Sequence, residues 1–147
     1  FIYVAGGCIT GQVALSSVER LCPVHRSWQM LPSMLSPRAF AVAGGFEVQG
    51  VTPSGSKCLI VCGGFDQTVL TSTECFLPSS FSSLPSSLRS GDEALGRWVR
   101  TAPMAWGGFL VAQATDEQGH LYLCGGRRHS APGDVSWHKG LRSAQLF

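Results

Sequence analysis

The sequence predicts an all-β chain built from a repeated unit, and three observations carry that prediction. An apolar run closed by Gly-Gly occurs three times: Ile2-Tyr3-Val4-Ala5-Gly6-Gly7, Leu59-Ile60-Val61-Cys62-Gly63-Gly64 and Leu121-Tyr122-Leu123-Cys124-Gly125-Gly126. From Ile2 to Leu59 to Leu121 the intervals are 57 and 62 residues. A Glu-bearing strand and a Trp-bearing strand follow the first two copies in the same order. The chain is also rich in Gly (18) and Pro (8), the residues that punctuate many short strands. Its 147 residues are enough for one real core, so the periods subdivide one architecture.

The elements follow in order. Ile2–Ala5 is a short apolar run stopped by Gly6-Gly7, which predicts a strand ending where the backbone turns tightly. After a polar stretch, Val18-Glu19-Arg20-Leu21 predicts a second strand, and Trp28-Gln29-Met30-Leu31-Pro32 a third. Met34 precedes an apolar stretch over 39–48 that leads to the next copy. That copy repeats the order: Cys58 to Cys62 before Gly63-Gly64, then Ser72-Thr73-Glu74-Cys75-Phe76, then Trp98-Val99-Arg100-Thr101-Ala102-Pro103, then Met104. A third copy opens with an apolar stretch over 108–115. It continues through Leu121–Cys124 and Gly125-Gly126 to Ala144-Gln145-Leu146-Phe147. The near-continuous apolar run at 58–62 suits a strand covered on both faces. Gly44-Gly45 falls inside the 39–48 strand and reads as a bulge or close approach. Trp28 and Trp98 read as core payload between sheets.

This pattern of diglycine strand, Glu strand, Trp strand and Met resembles the kelch motif over nearly the whole chain. Kelch repeats run to roughly 50 residues, so each interval holds a modest insertion. The longest, over 79–96, belongs to a stretch (78–96) with seven serines and two prolines and reads as a surface loop. The Tyr that many kelch repeats place between Glu and Trp is missing. The resemblance implies a kelch-type β-propeller fragment of four-stranded antiparallel blades, with the ring not closed by this chain alone. Residues 1–34 would supply strands b, c and d of one blade. Residues 38–104 would form a complete blade, and 107–147 would supply strands a, b and c of the next. Propellers close with four to eight blades, so about two and a half would leave open blade faces and an unpaired strand edge. The lack of an initiator Met agrees with a piece of a longer protein, and the open edges would permit self-association.

In kelch proteins that recruit partners, the rim carrying the b–c and d–a loops often does the binding. Here that rim would carry 9–12, 36–38, 65–67, 105–106 and 127–129. The expected partner-binding residues are Arg38, Phe65, Asp66, Trp106, Arg127 and Arg128, because Arg and aromatic residues dominate interface hot spots. Arg38 follows Pro37 where kelch partners are often contacted, and Trp106 lies near the equivalent place one unit on. The expected function is a protein–protein interaction module, an adaptor or regulatory part of a larger protein. The competing reading is a portion of a kelch-fold enzyme with a small-molecule or metal site at the central axis.

Other chemistry lacks its parts. Net charge is +2 with scattered basic residues, which predicts neither a nucleic-acid nor an anionic-membrane partner. No apolar run approaches a membrane span or leader length. Cys58 and Cys62 on one strand would lie about 13 Å apart, beyond a zinc ion held at about 2.3 Å from each sulfur. There is no Gly-x-Ser-x-Gly elbow and no phosphate-cradling Gly loop. No enzyme activity, metal or cofactor is therefore expected. The six cysteines read as reduced, with Cys62 and Cys124 as small core residues in apolar strands. That usage points to an intracellular, cytoplasmic setting.

Overall fold

The computed structural model describes residues 1–10, 13–46, 58–79, 95–116, 120–127 and 144–146. The strands in chain order are β1 (Ile2–Ala5), β2 (Cys8–Ile9), β3 (Val13–Ala14), β4 (Val18–Cys22), β5 (Ser27–Leu31), β6 (Val42–Phe46) and β7 (Cys58–Cys62). They continue with β8 (Phe65–Asp66), β9 (Thr68–Val69), β10 (Thr73–Pro78), β11 (Gly96–Arg100), β12 (Ala112–Thr115), β13 (Leu121–Cys124) and β14 (Ala144–Leu146). The fold is all-β, and every strand pair is antiparallel.

Three sheets carry the architecture. The first has the order β1-β4-β5, the second β11-β10-β7-β6, and the third β12-β13-β14. Two small hairpins, β2–β3 and β8–β9, stand beyond the diglycine ends of the first two sheets. The described sheets do not close a ring. The registers are superimposable: Ala5 faces Val18, Cys62 faces Thr73 and Cys124 faces Ala144. Glu19, Glu74 and Gln145 therefore occupy the same register in successive sheets, as do the paired positions Val4, Val61 and Leu123.

Each diglycine turns in one way. The first Gly has φ of 68, 61 and 68° and the second 109, 93 and 93° at the three sites. Side-chain-bearing residues avoid this left-handed region, which explains the glycines. They also leave room for the segments that cross from sheet to sheet: a Cβ on Gly63 would lie 2.5 Å from the Gly108 carbonyl oxygen. Gly44-Gly45 proves to be a close approach, because the ladder runs unbroken through Gly44 opposite Ile60 and Gly45 opposite Leu59. A Cβ on Gly44 would meet Gln113 Oε1 at 2.5 Å and Leu121 Cδ1 at 3.0 Å.

Side chains alternate across a sheet, and paired residues share a face. One apolar layer joins Val18, Leu31 and Met34 of the first unit to Val61, Phe76 and Trp98 of the second. The next joins Val42, Ile60, Cys62 and Met104 to Leu121 and Leu123. Burying side chains of this size stabilises by about 1.5–3 kcal/mol each, so inter-sheet packing is the main source of order. Phe76 and Trp98 meet with ring centroids 5.4 Å apart, tilted by 48°. The Trp98 indole Nε1–H also donates to the Pro32 carbonyl at 2.8 Å.

Trp28 departs from the expected core position. It is 53 % exposed, against 7 % for its repeat equivalent Trp98. The reason is the neighbour: among the described residues, no sheet covers the face of the first sheet that holds Ile2, Val4, Leu21, Trp28 and Met30. Cys124 likewise is exposed, whereas its equivalent Cys62 is buried beneath the third sheet. Cys58, Cys62 and Cys75 are buried, and all six cysteines are free thiols.

Candidate partner-binding rim

One end of the sheets is built from the diglycine turns, the two hairpins and the sheet-to-sheet crossovers. Each crossover is stapled by the same backbone bonds. In the first, Met34 N–H donates to Ser16 O at 2.9 Å, Arg38 N–H to Leu15 O at 2.9 Å, and Gly7 N–H to Arg38 O at 2.8 Å. In the second, Met104 N–H donates to Thr71 O at 2.8 Å and Gly64 N–H to Gly108 O at 2.8 Å. Ala39 bridges Phe65, and Phe109 bridges Arg127. Met34 pairs with Met104, Arg38 with Gly108 and Phe40 with Leu110 in this repeat.

Arg38 does not present its guanidinium on the rim. It has no exposed surface. Nη1 donates to the carbonyls of Gly63 (2.8 Å) and Ser72 (2.9 Å), and Nη2 to Ser72 Oγ (2.9 Å) and Glu74 Oε1 (2.6 Å). The other Glu74 oxygen accepts the Leu35 N–H at 2.6 Å. Among the described residues, Arg38 Nε is the only buried side-chain nitrogen or oxygen without a partner. The expected rim contact is thus a buried pin. It ties the crossover to the diglycine turn and central strand of the second sheet.

The other expected residues lie as follows. Phe65 and Asp66 form β8 and are partly exposed, and the Phe65 ring packs 6.0 Å from that of Phe109. Trp106 is partly exposed, and its ring lies over Gly108, where a Cβ would sit 2.6 Å from Cζ3. The indole thus occupies space above the residue that replaces Arg38. Arg127 is exposed at the rim. Arg128 lies outside the described residues, as do 11–12, 129, 47–57 and 80–94.

Sequence reasoning missed Phe40 and Leu110. Both are large and apolar, exposed to 50 % and 55 %, and both sit at a φ of 54°. The Leu110 N–H donates to the Phe40 carbonyl at 3.1 Å, so the two stand side by side on adjoining sheets. The Phe40 ring touches that of Phe109 at 6.5 Å. A left-handed bulky residue is an outlier, and such residues cluster at ligand clamps and functional sites. Their common place in the repeat was the available signal. Within an apolar stretch they read as ordinary strand residues.

Thiol electrostatics follow from burial. Burial pushes the Cys62 thiol up to about 12, against a lowering pull from the Arg38 charge. Cys75 rises to about 12 through burial first, then through Cys58 and Cys62 beside it. Such thiols stay protonated and unreactive. Among the described residues, no group of three or more His, Cys, Asp or Glu is placed to hold a metal ion. No helix there is long and apolar enough to cross a membrane.

Comparison with known proteins gives one family match. The model of the Kelch motif matches residues 2–35, which span the first sheet and the start of the first crossover. A comparison with curated proteins finds no match. The strand register and diglycine geometry of the matched unit recur in the second and third sheets, and its crossover bonds recur at the second crossover. On the family match and this recurrence, the first unit is similar to a Kelch motif, and the described sheets form an all-β, kelch-type β-propeller fragment with no closed ring.

Proposed function

We infer that the chain is a protein-interaction module that takes its partner on the rim of crossovers and hairpins. The observation that carries this reading is the pair Phe40 and Leu110. Two large apolar side chains are held exposed, at the same repeat position, by backbone that disfavours them. Ile9 and Val13 add exposed apolar surface on the β2–β3 hairpin, and Arg127 adds a cation. Apolar anchors beside an Arg are the composition of an interface centre. Asp66 and Trp106 remain part of the proposed surface, with Phe65 packed beneath it and Arg128 adjacent in sequence. Arg38 acts indirectly, by fixing the crossover that bears Phe40. An adaptor or regulatory role in a larger protein accords with this reading.

A photo-crosslinking residue tests it, placed in turn at 40, at 110 and at 24. Val24 is 84 % exposed on the β4–β5 turn, at the opposite end of the first sheet. Partner adducts should form from 40 and 110 and not from 24. Equal yields from all three, or adducts from 24 alone, would move the interface off this rim.

A further inference from the structure

The exposed pair Phe40 and Leu110 stands in a fixed frame. The Leu110 N–H donates to the Phe40 carbonyl at 3.1 Å. Ala39, next to Phe40, exchanges two backbone bonds with Phe65 (2.9 and 2.8 Å). Phe109, next to Leu110, exchanges two with Arg127 (3.1 and 2.9 Å). The Phe109 ring lies 6.5 Å from that of Phe40 and 6.0 Å from that of Phe65. The spacing of the pair is therefore set by backbone, with aromatic rings packed beside it.

This frame limits how a partner segment can bind. Adding a strand needs an edge whose backbone groups are unpaired at alternate residues. On either side of the pair those groups are already engaged, by the two bridges and by the bond between Leu110 and Phe40. Recognition therefore falls to side chains, and the partner segment has to satisfy its own backbone. An α-helix does so and presents apolar anchors at i and i+4. Those positions lie about 6 Å apart along the helix axis, which suits two side chains on backbone segments joined by one N–H···O bond.

Charge adds a second constraint. Asp66 lies in β8, on the sheet that Phe40 leads into, and Arg127 follows β13, on the sheet that Leu110 leads into. Asp66 is partly exposed and Arg127 exposed, and among the described residues neither forms an ion pair. Arg38 adds no open charge here, because it is buried against Glu74. The apolar pair is thus flanked by an anion on one sheet and a cation on the next. A complementary segment is bipolar, since a uniformly acidic or basic one meets a like charge on one side.

We propose that this part of the rim takes one amphipathic, bipolar helix of a partner protein. Apolar residues at i and i+4 lie on Phe40 and Leu110. A basic residue beyond one of them reaches Asp66, and an acidic residue beyond the other reaches Arg127. The proposal rests on the rim reading and deepens it by naming the form and charge of the partner.

The test uses the full chain and fluorescein-labelled, Ala-based helical peptides of about 20 residues, followed by anisotropy. The parent peptide carries Leu at i and i+4, Lys one turn before them and Glu one turn after. Two relatives carry Lys at both flanks or Glu at both, and a third has Pro between the leucines. The parent should bind saturably, and each relative about tenfold or more weakly. Arg127→Glu makes both flanks of the site anionic and should pass the preference to the peptide with two Lys. Circular dichroism checks that this surface variant keeps the fold. Equal affinity for the parent and the Pro peptide, a preference unmoved by Arg127→Glu, or no saturable binding of the parent at millimolar concentration would overturn the proposal. Parent binding that needs Phe40 and Leu110 but ignores helix or charge would sink this proposal alone. Binding unchanged in Phe40→Ser and Leu110→Ser would sink the rim reading with it.

Discussion

At the scale of single residues, the same amino acid type takes opposite roles by where its polar atoms end. Arg38 is a pin because four acceptors surround its guanidinium inside the second sheet. Removing one member of a buried ion pair leaves the other uncompensated, at a cost of about 3–5 kcal/mol. Arg38→Ala and Glu74→Ala should each lower the urea unfolding free energy by that order, and the double change should cost less than the two singles combined. Additive losses would mean that the pair is not coupled. The sequence contained Pro37-Arg38 but not the direction of the side chain, because burial of a guanidinium depends on acceptors 25 to 36 residues away. Thiol chemistry gives a pH test. Cys62 and Cys75 ionise near 12 when folded, against an ordinary value of 9.0. Above pH 9 the unfolded chain loses these protons and the folded chain keeps them, so stability falls as pH rises from 9 toward 12. Replacing both by Ala should flatten that fall in urea titrations across this window.

At the scale of elements, the strands were legible because each repeats a local signal. The diglycines marked the ends of β1, β7 and β13, and the Trp residues marked β5 and β11. The hairpins β2–β3 and β8–β9 were not legible. They are two-residue strands held by one turn, as at Gln67 with a φ of 59°, and carry no apolar period. The diglycine geometry predicts a sharp penalty. Gly63→Ala puts a Cβ into left-handed backbone against the Gly108 carbonyl and Met104 Cε. It should cost at least about 1–2 kcal/mol from the backbone alone. A neutral result by urea unfolding would contradict the turn geometry. Gly7→Ala meets no atom within 4 Å and should cost less.

At the scale of the whole molecule, fold class followed from the repeat, but exposure did not. The strands of the first sheet read as apolar as those of the second, yet among the described residues only the second has a sheet on both faces. Trp28 and Trp98 are the sharpest case: equal in register, unequal in surroundings. Trp98→Ala should therefore cost about 3–5 kcal/mol, and Trp28→Ala under about 1 kcal/mol. Successive units pack through a crossover that caps the next Trp. Indole N–H exchange in a chain labelled with nitrogen-15 at Trp tests it most directly. One indole proton should be strongly protected, and it should disappear in Trp98→Phe, while the Trp28 proton exchanges at the solvent rate. Equal exchange at Trp98 and Trp28, or a protected proton that survives Trp98→Phe and vanishes in Trp28→Phe, would contradict the account.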